Sequence, residues 1–233
     1  MMKTNLFPHD KFSFDNQDLL SGLPEAVCKT ITKNSVIVHF KAGDAVFIEG
    51  DTPEGIYSVK NGKVKKFTVT DHRKEHIFYI CKEGEYLGYH AVLSEELYPD
   101  CASALTDCDM EFIPKEDFIK AVDKSPILSK RLLRSLGHEF GVFLNATKIL
   151  SKYTVRERTA LNLLILESKY KNNQKLETEI SIHREDLASM VGTAMESVVR
   201  MLKDFKEEKL IITKRSSIFI KDYKGLLKVA NFS

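Results

Sequence analysis

Apolar residues recur along this chain with two different periods, and the change between them divides it. From Ser35 the runs SVIVHF, AVFIEG, GIYSVKNG, KVKKFTVT and EHIFYI are short and rich in Val, Ile, Phe and Tyr. Turn signals separate them at Ala42-Gly43-Asp44, Asn61-Gly62 and Glu83-Gly84, the pattern of strands with tight connections. Asn-Gly between two alternating runs predicts a hairpin, because both residues tolerate φ > 0. Regular short strands of this kind predict a β-sandwich or roll up to about Ile113, led into by short helices over residues 14–33.

Beyond Pro114 the period becomes helical. A short helix over Lys115–Asp123 precedes Ser125-Pro126, an N-cap with proline at the first helical position. The helix from Pro126 to about Leu150 would be about 37 Å long at 1.5 Å per residue. Leu133, Leu136, Phe140, Phe143, Thr147 and Leu150 fall at alternating spacings of three and four, the a/d seam of a coiled coil. A seam of that length predicts a homodimer. Gly137 and Gly141 each cost roughly 1 kcal/mol relative to alanine in a helix. They either admit a close neighbour or simply weaken the helix, and the sequence leaves both open.

After a hinge at Ser151–Tyr153 come a helix at Val155–Tyr170, a polar loop at Lys171–Lys175 and a short strand, LETEISI. The stretch Ile182–Ile211 is the most legible in the chain. Gly192 marks a turn, Thr193 offers a hydroxyl as N-cap, and Glu196 three residues later completes a T-x-x-E capping box. Val198, Met201, Leu202 and Phe205 then form one buried face, while Glu196, Arg200 and Lys203 line the opposite one. Two helices around a glycine turn with a polar face make a helix-turn-helix. IITKRSSIFI predicts two strands around Lys214–Ser217, a wing, and a closing helix spans about Tyr223–Val229. The expected fold class is therefore α+β. It comprises a β-roll over residues 1–124, a long dimerisation helix and hinge over 125–151, and a winged helix-turn-helix over 152–233.

Composition narrows the function classes. The chain has 233 residues, 43% hydrophobic and 29% charged, which excludes a disordered protein. Net charge is only +2, but residues 152–233 carry 16 Lys and Arg against 11 Asp and Glu. A basic C-terminal part fits contact with nucleic acid. Cys28, Cys81, Cys101 and Cys108 show no C-x-x-C spacing, so free thiols in a reducing compartment are expected. The N-terminus has no signal-peptide pattern and no apolar run suits a membrane helix. A cytoplasmic protein without membrane contact is expected. No nucleophile–base pair, phosphate loop or metal-ligand spacing occurs, so nothing supports an enzyme.

Leu187-Ala188, Val191-Gly192, the run Glu196 to Lys203 (ESVVRMLK) and Leu210-Ile211 resemble the DNA-binding motif of the CRP/FNR family of bacterial transcription regulators. The phrase Lys41–Phe67, with Gly43, Gly50, Gly55, Tyr57 and Gly62 at turn and core positions, resembles that family's cyclic-nucleotide-binding roll. The resemblance implies a homodimer on a pseudo-palindromic operator in double-stranded DNA, with RNA polymerase as a further partner. Arg200 can present two donors to guanine, and Glu196 can accept from cytosine. Thr193, Ser197, Lys203 and the wing residues Lys214 and Arg215 suit phosphates. The family often has arginine just before this glutamate; here Met195 offers apolar contact only, for instance to a thymine methyl.

The sensor departs further from the family. Cyclic-AMP binders of the family carry glycine–glutamate–leucine and then arginine–serine, whereas here Gly88 is followed by Tyr89 and His90, and the arginine–serine positions hold Tyr98 and Pro99. The positions on the long helix that touch the base align with Phe143 and Leu144. A phosphodiester would lack its bidentate partner, so cyclic AMP is not expected and the effector is unidentified. A pocket of these residues would suit an apolar or aromatic ligand, or none. Only Cys28 precedes the roll, against an iron–sulfur cluster; haem stays open through His90 or His138. Cys101 and Cys108 are a candidate thiol switch or plain core. The competing readings are a ligand-binding signalling module with a degenerate DNA-binding domain, and an enzyme using the roll as a regulatory unit.

Overall fold

The computed structural model describes residues 7–70, 74–171 and 177–231. It forms two compact units, Phe14–Gly141 and Met1–Ser13 with Val142–Ser233. The first holds helix α1 (Glu25–Thr32) and eight strands: β1 (Val36–Phe40), β2 (Ala45–Phe47), β3 (Gly55–Asn61), β4 (Lys63–Val69), β5 (Glu75–Lys82), β6 (Tyr86–Leu87), β7 (Cys101–Ala104) and β8 (Cys108–Pro114). Helix α2 (Tyr89–Ser94) lies between β6 and β7, α3 (Lys115–Lys124) follows β8, and α4 runs from Pro126 to Lys152. The strands make two antiparallel four-stranded sheets, ordered β1-β8-β3-β6 and β2-β7-β4-β5.

The Asn61-Gly62 turn is not the hairpin its sequence predicts. β3 pairs with β6 and β8, β4 pairs with β5 and β7, and the turn carries the chain from one sheet to the other. Gly62 has φ 91°, and a Cβ there would collide with the Asp107 carbonyl and the Cys108 thiol. A tight, glycine-dependent corner is thus required, but its two strands each find better partners elsewhere. Helix α2, which period alone did not reveal, begins on left-handed Gly88. The core between the helices and the first sheet gathers Leu23, Val27, Ile31, Ile56, Tyr89, Ile113, Phe118, Leu128 and Leu132. Burying each aliphatic or aromatic side chain contributes about 1.5–3 kcal/mol.

The second unit holds the end of α4, then α5 (Val155–Tyr170), β9 (Ile180–Ser181), α6 (Arg184–Val191), α7 (Met195–Glu207), β10 (Ile211–Lys214), β11 (Ser217–Ile220) and α8 (Tyr223–Val229). Its sheet is ordered β10-β11-β9. The expected strand LETEISI contributes only the two residues of β9, and the loop expected at Lys171–Lys175 lies largely outside the described residues. Phe7, before a 3-10 turn at His9–Phe12, and Phe12, its last residue, are buried and stack at 5.3 Å. This N-terminal segment groups with the second unit, although sequence order places it beside the roll. Among the described residues, no helix is long and apolar enough to cross a membrane.

Candidate nucleic-acid interface

α6 ends on Gly192, whose left-handed backbone (φ 68°) lets two amides close on one carbonyl: Gly192 and Thr193 donate to Ala188 O at 2.9 and 3.1 Å. That closure takes up Thr193, so α7 starts one residue later, at Met195 with Ala194 as N-cap and no side-chain cap. The expected Thr193–Glu196 capping box is therefore absent. The same T-x-x-E pattern forms one at the start of α5, where Glu157 N donates to Thr154 Oγ1 (3.3 Å) and Thr154 N to Glu157 Oε2 (2.7 Å).

Two arginines of α5 hold this arrangement, and sequence reasoning missed both. The Arg158 guanidinium donates to Val191 O (2.8 Å), Gly192 O (3.3 Å) and Tyr153 O (2.8 Å), tying the turn to the residue before the N-cap of α5. Arg156 donates from Nη2 to both carboxylate oxygens of Glu208 at 2.7 and 2.8 Å and lies 4.9 Å from the Phe205 ring centre, a charge-assisted clamp on the far end of α7. The signal available in the sequence was R-x-R opening a helix, which carries no meaning until its partners are known.

Val198, Leu202 and Phe205 of α7 are buried, while Met195, Glu196, Val199, Arg200 and Lys203 are exposed and share its other side. Thr193 and Ser197 are half-buried at its start. In the wing, Arg215 turns the chain with φ 53°, and Lys214 and Arg215 stand exposed at the tip. Lys214 Nζ rests 5.5 Å over the Phe219 ring. The result is a half-polar helix face beside basic groups, suited to base edges and to phosphates.

On α4 the exposed apolar residues include Leu133 (72%), Phe140 (65%), Leu144 (56%), Leu150 (40%) and Phe143 (36%). Thr147 is exposed too, but Leu136 is half-buried against the core of the first unit. The exposed stripe thus runs Leu133, Gly137, Phe140, Leu144, so Leu144 belongs with the seam residues. A Cβ at Gly137 or Gly141 would meet nothing within 4 Å. No close neighbour in the chain explains either glycine.

Of the expected pocket residues of the roll, Pro99 is exposed, while Tyr89, His90 and Tyr98 are engaged with the core and its polar groups. Tyr98 is buried, stacks on Phe47 at 4.0 Å, and donates its hydroxyl to Gly55 O at 3.3 Å. That hydroxyl is also 3.3 Å from where a Cβ of Gly88 would stand, so the phenol occupies the space between the two glycines. Burial pushes its pKa up, so it stays a neutral donor. His90 Nε2 and Lys66 Nζ sit 3.1 and 3.2 Å from the two oxygens of buried Asp100, the residue after Pro99. Burial disfavours Asp100 ionisation, yet the hydrogen bond from His90 and the Lys66 ammonium outweigh it and hold the carboxyl below its ordinary value. Burial lowers the His90 imidazole, so neutral His90 donates while Lys66 supplies the counter-charge. Tyr89 turns into the core, donating to Glu139 on α4 and meeting Ser135 Oγ at 3.1 Å; Asn16 Nδ2 donates to Glu139 at 3.2 Å.

These groups do not fit a cyclic nucleotide. No arginine lies on the strands among the described residues, and the Lys66 ammonium and the neutral His90 ring both face Asp100. Among the described residues no group of three His, Cys, Asp or Glu could hold a metal. Burial raises the thiols of Cys101 and Cys108, and each sits in its own hydrogen bond, from Glu49 N and to Lys63 O.

Two family descriptions match the chain: the cyclic nucleotide-binding domain over residues 37–125 and the Crp-like helix-turn-helix domain over 157–229. The chain belongs to the CRP/FNR family. It is a DNA-binding transcription regulator. It is 25% identical over 193 residues to the fumarate and nitrate reduction regulatory protein of Vibrio cholerae, covering 82% of this chain and 77% of that one. To the transcriptional activator Anr of Pseudomonas aeruginosa it is 27% identical over 184 residues, 78% and 75% of the two chains. Two solved structures share the fold. FixK2 from Bradyrhizobium japonicum has a TM-score of 0.75 at 16% identity over 84% of this chain and 96% of that one. A CRP/FNR transcriptional regulator of Thermus thermophilus has a TM-score of 0.71 at 23% identity, covering 84% and 98%. Within the roll of this chain, the Tyr98 phenol stands between Gly55 and Gly88.

Proposed function

We propose that this CRP/FNR regulator acts in the cytoplasm as a homodimer, pairing through the exposed stripe of α4 and reading a pseudo-palindromic operator with two copies of α7. The observation that carries the reading is the exposed pair Glu196 and Arg200 on the outer face of a helix whose other face is buried. Arg200 presents a donor fork to guanine and Glu196 an acceptor to cytosine, while Thr193, Ser197, Lys203, Lys214 and Arg215 contact phosphates. The apolar exposure of Leu133, Phe140 and Leu144 supports pairing, because a second copy of the same stripe is its self-complementary cover. The effector is not cyclic AMP, since Tyr98 stands where an anion-pairing arginine would be needed; the protein has no catalytic role and meets RNA polymerase through other surfaces. Enrichment of DNA from a random pool by the purified protein tests the reading. Two inverted half-sites about 34 Å, or one helical turn, apart are expected; a pool with no enriched sequence would overturn it.

A further inference from the structure

The face of α7 that holds Arg200 also carries two exposed apolar side chains that no fold requirement explains. Met195 and Val199 are 39% and 48% exposed, and they stand one helical turn apart. With Lys203 they form a row at i, i+4 spacing, beside the row of Glu196 and Arg200. Single exposed apolar residues are ordinary on a protein surface. Valine is a poorer choice than alanine or a long polar residue on an open helix face, because its branched side chain loses rotamer freedom there without packing. Both residues lie in the N-terminal half of the helix, the part that reaches base edges when such a helix docks. In the major groove the one apolar group on a base-pair edge is the C5 methyl of thymine.

We infer that Val199, with Met195 beside it, is a specificity-determining residue that recognises thymine methyl groups next to the base pair read by Arg200. The inference rests on the assignment of α7 as the reading helix. A branched side chain held in few rotamers places its methyls at fixed points, so the preference falls on particular positions rather than on all thymines. The polar row then sets register through guanine and cytosine, and the apolar row adds a readout that hydrogen bonds cannot supply.

The test uses the full-length protein and the operator recovered from the random pool. Each thymine is replaced in turn by deoxyuridine, which removes the methyl and leaves every hydrogen-bonding group in place. The wild type should lose roughly four-fold in affinity per half-site at one or two positions, the factor that burying one CH₂ confers. Val199→Ser should bind thymine and deoxyuridine alike at one of them, and Met195→Ala at the other. Val199→Ala, with its higher helix propensity, should lose the same discrimination and guards against a misfolded serine variant. Equal affinity of the wild type for thymine and deoxyuridine everywhere, or full discrimination retained by the Val199 variants, would overturn the inference. If base preference and its dependence on Arg200 then persisted, the reading helix would stand and only the methyl readout would fall. Loss of all sequence preference would remove both.

Discussion

Glu196 and Arg200 stand one turn apart on α7, the spacing at which opposite charges commonly pair on a helix, and among the described residues no ion pair joins them. Elsewhere in this unit exposed charges do pair: Lys203 reaches Glu207 at 3.9 Å and Arg156 reaches Glu208 at 2.7 Å. An exposed helix pair stabilises by only about 0.3–0.5 kcal/mol, so leaving this one unmade costs little. It leaves a guanidinium fork and a carboxylate exposed side by side.

The α4 stripe predicts assembly. Replacing Phe140 and Leu144 together with glutamate puts two charges into the exposed apolar stripe without touching the buried side of the helix. Sedimentation should then show monomers with unchanged helical content, and operator binding should weaken by at least about tenfold once the two reading helices are no longer linked. A dimer of unaltered strength would place the interface elsewhere.

The sensor cradle predicts indifference to cyclic AMP. The Tyr98 phenol fills the space between Gly55 and Gly88, and the nearby Lys66 charge is committed to Asp100. Calorimetric titration of the full-length protein should give no binding in the micromolar range, and added nucleotide should leave operator affinity unchanged. Micromolar or tighter binding would contradict the geometry.

Glu139 predicts a pH dependence of stability. It is buried, accepts hydrogen bonds from Tyr89 and Asn16, and burial raises its carboxyl above the ordinary value, with Glu85 adding to the rise and Lys66 opposing it. The folded state therefore holds its proton longer than the unfolded state, and this group costs stability as pH rises through the ordinary carboxylate range. Glu139→Gln, which keeps the acceptor, should unfold at a higher urea midpoint than the wild type at pH 7. The gain should vanish below the ordinary carboxylate range, near pH 4. A less stable variant at pH 7 would mean that Lys66 requires the carboxylate charge.

What was legible followed from period and punctuation. The strands of the roll, the long helix, the turn at Gly192 and the buried face Val198–Leu202–Phe205 are local patterns, and the structure has them. Long-range pairing was not legible: Asn61-Gly62 has the chemistry of a hairpin, but β7 and β8, which begin only at Cys101 and Cys108, take its two strands. The T-x-x-E at Thr193 lost to a competing closure on Ala188 O, which depends on where α6 ends. The Arg158 clamp and the Lys66–Asp100–His90 cluster each join distant residues, so neither leaves a local pattern. The exposed polar face of Glu196, Arg200 and Lys203 was legible because its members share one helix.

Whether Arg200 reads a base or anchors the backbone is decided by binding of Arg200→Ala to a panel of single-base operator variants. Lys214→Ala in the wing serves as the contrast. Arg200→Ala should cost on the order of 1–3 kcal/mol per half-site and erase preference at one base pair while leaving the others intact. Lys214→Ala should weaken every variant alike and reduce the salt slope by about one. Should Arg200→Ala lower affinity equally for all operators and flatten the salt dependence as the wing variant does, Arg200 is a phosphate anchor and α7 does not read DNA as assigned.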